Sequence, residues 1–372
     1  MTDVIPRSVL WILCLGFALI SLVLYWHLKS HDQQKGGWRS NDKAGNLKQW
    51  LLKTKTGKLR GSTAVTRMFD KNTKQYAKNM DQSCGDEESI MGDLTIGHFL
   101  GNNPKPNSLM WQWRGEELHH WFLYGRVDSS GFFTGHNITF IYPDLKTGLR
   151  GKFINGELVE AIAVENVAHR IRNGIKELKF KEAEPFNVVW ARDVSNETYI
   201  GTHPKITEPH ERKSVYVASS NGAKDDGLFA RRKFRFGDLV SFYNGVRTTE
   251  DKIFHEEMTD EEMEVAVSYS FNFGNYGHEM FNNSEDVELL DIPKGYRSVD
   301  DYRTTLGHKV NHMFDEDTNL EFDFMDHPVF GVIVCLLAIK DIEVEEELFV
   351  NYNEPLEHAP HWYRELYEKS YN

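Results

Sequence analysis

Two short segments carry the side chains best suited to chemistry. Asn311 and His312 stand side by side in GHKVNHMF (307–314), a pattern typical of a fixed polar loop rather than of a simple helix or strand. Further along, the β-rich EELFVNY (346–352) ends in Tyr352, whose hydroxyl can meet a reacting group while its ring packs. Each segment alone is explained by a turn cap or a core tyrosine. Together the two segments predict a preformed polar site.

The two segments resemble the pseudoknot signature of SET-domain lysine methyltransferases, in which Asn-His precedes a strand and then Glu-Glu-Leu-x-Val-x-Tyr. Further matching segments follow in the family's order: SVYVASS (214–220), DGLFA (226–230), LVSFYNGVR (239–247), TLGHK (305–309), HPVFG (327–331) and APHWY (359–363). The resemblance is to the histone-lysine methyltransferases in which MORN repeats precede the SET domain. It covers roughly residues 92–366.

The resemblance implies transfer of methyl groups from S-adenosylmethionine to a lysine in a basic protein segment, with a histone as one candidate. It implies the following cofactor-binding residues: Asp226, Gly227, Phe229, His308, Asn311, His312 and Trp362. By the same resemblance Tyr243 orients the lysine amine and Tyr352 lies near the methyl group in transfer. The alternative for the two tyrosines is packing in a core.

Departures from the family pattern occur in the substrate channel, in the family's cofactor turn and in an insertion. Phe322 and Glu354 stand where the family places tyrosines of the substrate channel, and Asp225, Asp226 and Gly227 replace a Gly-Glu-Gly turn. An insertion between Arg247 and Asp291 contains an acidic, helix-type stretch (253–266) and the aromatic SYSFNFGNY (268–276), which we expect over the substrate side. The alternative function is therefore a catalytically silent SET fold that acts as a membrane-tethered binding module.

Composition limits the other classes of function. The chain has 372 residues, 40% of them apolar, which is enough for two domains. Its three cysteines are too few and too scattered for a disulfide framework or a zinc site, so we expect a reducing compartment and no metal. Residues 1–60 hold 10 basic and 3 acidic residues, so the rest of the chain carries −20 within a total charge of −13. An acidic body favours a basic protein partner and argues against direct nucleic acid binding.

The first long apolar stretch predicts a membrane anchor. Residues 9–26 carry no charge, and residues 8–28 are long enough to cross a hydrocarbon core. The alternatives are a buried soluble helix and a cleaved signal peptide, although LYWHLKS offers no cleavage site. Basic residues follow the span, so the body is expected on the cytosolic side. The resemblance adds nuclear or chromatin association as an alternative location.

The rest of the chain predicts a mainly β fold behind the anchor. We expect a basic flexible stalk at 29–91 that can lie on anionic lipid, and degenerate MORN repeats at 92–160, where aromatic strands alternate with turn signals. A less regular bridge (161–212) then leads to a SET domain of small sheets with a pseudoknot (213–355). The final segment, 356–372, predicts a helix with a proline in its first turn.

Overall fold

The computed structural model describes most of the chain after residue 64. The described residues are 65–70, 75–78, 93–100, 103–115, 120–172, 175–193, 200–220, 226–254, 258–272, 289–314, 317–353, 356 and 359–371. The predicted anchor at 8–28 lies outside them, as does Glu354. Within these ranges no helix combines the length and the apolar character needed to cross a membrane.

The described chain folds into twenty-two strands and four α-helices. In chain order the strands are β1 (Val65–Asp70), β2 (Gln75–Lys78), β3 (Asp93–Gly97), β4 (Phe99–Leu100), β5 (Asn103–Pro104), β6 (Leu109–Gly115), β7 (His120–Arg126), β8 (Gly135–Ile141), β9 (Thr147–Ile154), β10 (Glu157–Arg172), β11 (Ile175–Glu182), β12 (Trp190–Ala191), β13 (Val215–Ser219), β14 (Asp226–Ala230), β15 (Leu239–Tyr243), β16 (Val246–Thr248), β17 (Ser270–Asn272), β18 (Leu289–Asp291), β19 (Asn311–His312), β20 (Leu320–His327), β21 (Gly331–Ala338) and β22 (Glu347–Val350). The helices are α1 (Pro209–Ser214), α2 (Glu250–Ile253), α3 (Asp260–Val267) and α4 (His361–Tyr371).

The first sheet is an antiparallel meander. Its strand order is β11-β10-β9-β8-β7-β6-β3-β1-β2, with β12 paired to β10. The hairpin between β9 and β10 turns on Asn155 and Gly156, whose φ angles of 52° and 84° give the turn that matches the twist of paired strands. The hairpins predicted from the alternating aromatic segments are therefore present.

The meander is longer than the sequence predicts at both ends. In the predicted stalk, β1 and β2 form a hairpin that pairs with β3, so this part of the flexible-stalk prediction is wrong. In the predicted bridge, β10 runs on to Arg172 and pairs with β11. Both segments are rich in charged residues, so their apolar alternation is weak, and backbone pairing to a sheet edge orders them instead.

The second sheet contains the crossing of chain segments that the sequence predicts. Its order is β13-β14-β22-β20-β21-β15, and β19 also pairs with β22. The strand β22 pairs antiparallel with β14 on one side and parallel with β19 and β20 on the other. The Asn319 side chain closes the crossing, because its amide donates to the Glu347 carbonyl and its Oδ1 accepts from the Phe349 N–H.

The two sheets share one hydrophobic core. Phe140 and Leu149 of the meander pack in the same buried cluster as Phe242, Ile333 and Leu337 of the second sheet. At 25–30 cal/mol per Å² of apolar surface, such shared burial stabilises both sheets together. The meander therefore packs against the part of the second sheet that β15 and β21 form, and it supports these two strands.

The described part of the insertion and the chain end lie beside this core. Helix α3 begins at a capping box, in which Thr259 and Glu262 exchange side-chain and backbone hydrogen bonds. The strands β16, β18 and β17 form a small sheet, to which β16 comes from before α3 and the other two from after it. The predicted C-terminal helix is present as α4, and the backbone N–H groups of Tyr363 and Arg364 donate to the Pro360 carbonyl.

Candidate active site

The Asn311–His312 pair lies on β19, where the chain crosses β22. The Asn311 Nδ2 donates to Oε1 of Glu347 at 3.1 Å. Gly227 of β14 lies against the same two side chains: a Cβ there would stand 2.4 Å from Glu347 Oε1 and 3.0 Å from Asn311 Nδ2. The glycine in the DGLF segment thus lets β14 approach the Asn311 and Glu347 side chains closely, and a larger residue there would displace the Glu347 carboxylate.

His312 is buried in an aromatic cage at the same crossing. Its ring stacks on Tyr363 with centroids 4.4 Å apart and meets Phe314 and Tyr352 at 4.2 Å and 5.2 Å. Its Nδ1 accepts a hydrogen bond from the Tyr352 N–H at 3.1 Å, which assigns the proton of the neutral ring to Nε2. Burial lowers the pKa of His312 to about 4. The ring is therefore a neutral Nε2–H donor at neutral pH.

That donor has no hydrogen-bond partner among the described residues. A buried N–H needs an acceptor, which a bound ligand or a water can supply at this atom. Trp362, in the first turn of α4, is 41% exposed and lies edge-on to His312 at 6.2 Å and to Tyr352 at 6.3 Å. An unpartnered donor and an open aromatic ring thus stand side by side.

The hydroxyl groups of the two predicted catalytic tyrosines donate hydrogen bonds to backbone carbonyls. Tyr243, at the end of β15, donates to the Tyr269 carbonyl at 2.7 Å, and Tyr352 donates to the Val310 carbonyl at 2.7 Å. Burial, followed by the nearby Asp291 charge and that of Tyr352, raises the pKa of Tyr243 well above its ordinary value of 10.0. Tyr243 is therefore a neutral phenol at neutral pH, which is unsuited to act as a base.

Phe322 lies on β20 between two buried clusters, one of which includes Tyr243. Phe271 of β17 meets it edge to face with centroids 4.9 Å apart, and Phe271 also lies 6.1 Å from both Tyr243 and Phe324. The insertion thus supplies an aromatic ring to the wall that contains Phe322.

The other predicted site residues are placed less centrally. His308 is buried beside Tyr302 at 5.4 Å, and burial lowers its pKa to about 3. The Phe229 ring stacks on Tyr216 at 5.6 Å, while Asp226 opens β14 and pairs with Ser219. Within the described ranges no group of three or more His, Cys, Asp and Glu side chains is arranged to hold a metal ion.

Four residues of the site were not predicted from the sequence. Glu347 belongs to the quoted EELFVNY motif, but its contact with Asn311 needs the crossing of the chain. Tyr363 follows Trp362 and had no signal of its own. Phe271 lies in an insertion without a family counterpart, and Glu211 stands in a charged stretch that indicates an exposed surface.

Two family descriptions match the chain. The one named Histone H3 K4-specific methyltransferase SET7 N-terminal matches residues 116–173, and the one named SET domain matches residues 225–353. The Histone-lysine N-methyltransferase SETD7 of Halocynthia roretzi is 32% identical over 255 residues, which cover 65% of this chain and 60% of that protein. The match therefore spans less than two thirds of that relative.

Similar solved structures include "ctPRC2 in an autoinhibited conformation bound to S-adenosylmethionine", which is 25% identical with a TM-score of 0.28, over 42% of this chain and 17% of that one. The "Structure of the Neurospora SET domain protein DIM-5, a histone lysine methyltransferase" is 19% identical with a TM-score of 0.28, over 39% and 55%. Likenesses at this level carry no argument about this chain.

The sequence motifs resemble the histone-lysine methyltransferase SET domain-containing protein seven, and the family matches and the Halocynthia roretzi relative confirm that resemblance. The SET match includes Tyr243, Tyr352 and the Asn311–His312 pair. The chain thus carries a SET domain preceded by an N-terminal region of the SET7 type.

Proposed function

We propose that this chain is a protein-lysine N-methyltransferase that uses S-adenosylmethionine. The observation that carries the proposal is the knot, in which β19 and β22 pair and the Tyr352 backbone is hydrogen-bonded to His312. The SET domain match and the 32% identity to a histone-lysine methyltransferase support it.

The residues around the knot fit the cofactor. The unpartnered Nε2–H of His312 can donate to an acceptor, and the open ring of Trp362 can pack on a flat heterocycle. We infer that the cofactor is held by Asp226, Gly227, Phe229, His308, Asn311, His312 and Trp362. When bound, S-adenosylmethionine supplies a methyl group carried on a positively charged sulfur, which a neutral amine can accept.

The substrate lysine must arrive as the neutral amine. An ordinary lysine has a pKa near 10.4, so about a thousandth of it is neutral at pH 7, a penalty of roughly 4 kcal/mol. The aromatic wall of Tyr243, Phe271 and Phe322 reduces that penalty, because exclusion of water disfavours the ammonium form. The ammonium group gives its proton to solvent before it enters the wall, so that the neutral amine reaches the site.

Tyr243 orients the amine in this scheme. Its hydroxyl hydrogen is committed to the Tyr269 carbonyl, so its oxygen lone pairs are free to accept from an amine N–H. One N–H held in this way fixes the direction of the nitrogen lone pair. Positioning of the amine and exclusion of water from around it therefore take the place of a strong base in the site.

The charge distribution favours a basic protein substrate, with a histone as the first candidate. The chain after residue 60 carries a formal charge of −20, which can attract a basic tail. We further propose that the anchor at 8–28 holds the SET domain at the cytosolic face of a membrane, and that the 92–160 meander is a degenerate MORN array. Nuclear or chromatin association is the alternative location.

The second candidate function is a catalytically silent, membrane-tethered binding module. Phe322 favours it, because the Phe271 ring packs on Phe322 and fills space in the wall. The same knot would then bind S-adenosylmethionine without turnover.

Two measurements on the full chain in detergent micelles separate the candidates. Titration calorimetry measures S-adenosylmethionine binding, and mass spectrometry detects methyl-lysine after incubation with a histone mixture and with non-histone basic proteins. Binding together with methyl-lysine, lost in Tyr243→Phe, is the expected result. Binding without any product supports the silent module, and the absence of binding rejects both candidates.

A further inference from the structure

A buried carboxylate joins the two halves of the candidate site. Glu211 of α1 is fully buried, and its Oε1 accepts hydrogen bonds from Ser241 Oγ at 2.5 Å and from the Phe242 N–H at 2.7 Å. Its Oε2 accepts from the Leu306 N–H at 2.8 Å. Both oxygens are therefore occupied, each by a different segment of the chain.

Each segment leads directly to a site residue. Phe242 precedes Tyr243, and Leu306 precedes the 3-10 turn Gly307–Lys309, which contains His308 and is followed by β19. The two segments touch, because a Cβ on Gly307 would stand 2.5 Å from the Phe242 carbonyl oxygen and 3.1 Å from the Tyr243 nitrogen. Glu211 thus bridges the strand of the lysine-orienting tyrosine and the turn that enters the knot.

We propose that Glu211 is a positioning residue, which sets the place of Tyr243 relative to the cofactor-binding knot. The inference rests on the proposed function, because position matters to rate only if a methyl group passes between these halves. Glu211 touches neither the substrate nor the cofactor in this role.

The helix α1, which carries Glu211, is itself held from the side of the meander through Glu208. Glu208 caps α1, and its Oε2 accepts from the His210 and Glu211 N–H groups at 2.8 Å and 3.0 Å. Its Oε1 accepts from the Tyr142 hydroxyl, which also lies 3.2 Å from His327 Nε2. The order of contacts therefore runs from the meander through α1 to β15, so the first sheet contributes to the geometry of the site.

Replacement by an amide tests the bridge with minimal change of shape. Glutamine offers one acceptor oxygen and one NH₂ group, so either the Phe242 or the Leu306 N–H would face another donor. One segment must then move away. A shift of about 1 Å between reacting groups can cost up to a hundredfold in rate.

The first test is steady-state kinetics of the full-length Glu211→Gln protein. We expect kcat per folded molecule to fall about tenfold or more, with KM for the cofactor and the protein substrate within about threefold, because each half of the site is intact by itself. The matched control is Asp193→Asn, which changes another buried carboxylate, one whose partner Thr202 belongs to neither of the two bridged segments. It should lower Tm and leave kcat unchanged. If Glu211 has only a structural role, both variants should lower Tm and leave kcat per folded molecule unchanged. That result would overturn the proposal.

Two further measurements keep the proposal falsifiable. If Glu211→Gln does not fold, Glu211→Asp keeps the carboxyl group but shortens its reach, and an unchanged kcat in that folded variant overturns the proposal. Hydrogen exchange is independent of turnover: deuterium uptake should rise at Phe242 or at Leu306 in the Glu211→Gln variant, but at neither amide in Asp193→Asn. Absence of product from the native chain rejects the proposed function, whereas unchanged exchange at both amides rejects the bridge.

Discussion

The Asn311 side chain donates to the Glu347 carboxylate across 3.1 Å, and the two residues belong to segments that cross in the knot. Gly227 fits against both side chains from the neighbouring strand β14. Three of the motifs that identify the SET domain thus meet at one point, and changes there should affect cofactor binding before they affect the rest of the fold.

The substitution Gly227→Ala tests this meeting point. The added Cβ would lie 2.4 Å from Glu347 Oε1, so the carboxylate must move and its contact with Asn311 should break. We expect affinity for S-adenosylmethionine to fall about tenfold or more, measured by calorimetry. Gly295→Ala is the matched control, because a Cβ at that position meets nothing within 4 Å. Equal affinities for the two variants would contradict the assignment.

The substitution Asn311→Ala should lower both stability and cofactor affinity. It leaves Glu347 without its amide donor in a partly buried place, which costs about 1–3 kcal/mol. Asn166→Ala removes an amide that donates to the Leu145 carbonyl in the meander and serves as the control. Calorimetry of both variants measures their stability and their affinity for the cofactor. Unchanged cofactor binding by a folded Asn311→Ala protein would show that the knot is not the cofactor site.

Acid should destabilise the fold through His308 and His312. Both side chains have folded-state pKa values below the ordinary 6.5, about 3 and about 4, so the unfolded chain binds more protons between pH 6.5 and 4. The contribution of each histidine to stability is therefore full above pH 6.5 and falls as the pH drops toward its folded-state pKa, with a loss by pH 5 of about 2 kcal/mol. Burial raises the pKa of Glu211 to about 8, so the Glu211 contribution changes in the opposite direction and rises as the pH falls below 8. Urea unfolding of the native chain and of His312→Gln at pH 7.5, 6 and 5 separates the two effects, because the variant should gain stability relative to the native chain as the pH falls. An equal pH dependence of the two proteins is the opposing result.

The product should carry two or more methyl groups. A tyrosine in place of Phe322 could hold a water beside the amine and restrict its rotation, whereas phenylalanine leaves a methylated amine room to turn. Phe322→Tyr should therefore give mostly monomethyl-lysine, as read by mass spectrometry at saturating cofactor. A native product that stops at one methyl group after complete turnover would refute this, and the Phe271 ring beside Phe322 would then be the first residue to examine.

The proposed anchor sets the orientation of the body. Protease added to sealed microsomes should digest the body of the chain and spare only a short N-terminal piece, because the basic residues that follow the apolar span favour the cytosolic side. The same digestion after detergent treatment is the control. Protection of the whole body in sealed vesicles would reverse the orientation.

Local signals account for the parts of this fold that the sequence predicts. The hairpin with Asn155 and the helix after Pro360 each depend on a few neighbouring residues, and the structure has both. The Asn311–His312 pair, which the sequence favours as a polar loop, instead forms the short strand β19, because it pairs with the distant β22. The MORN interpretation of the meander stays a prediction.

Contacts between distant segments account for what the sequence does not predict. Glu208 and Glu211 lie among charged residues and would be expected in solvent, yet both are fully buried. Their hydrogen-bond donors belong to Tyr142, Phe242 and Leu306, up to 95 positions away. The local pattern of apolar and polar residues does not predict donors at such a distance along the chain. The hairpin β1–β2 was missed for a related reason, because it is ordered by pairing to β3.

The position of β22 has a consequence for the order of events during synthesis. This strand is the last in the described chain, yet it lies inside the second sheet between β14 and β20. The meander joins neighbouring strands by short hairpins, so it can form while the chain is still growing. The second sheet must wait until residue 350 has left the ribosome, and until then the open edges of β14 and β20 are exposed to chaperones and to pairing with other chains.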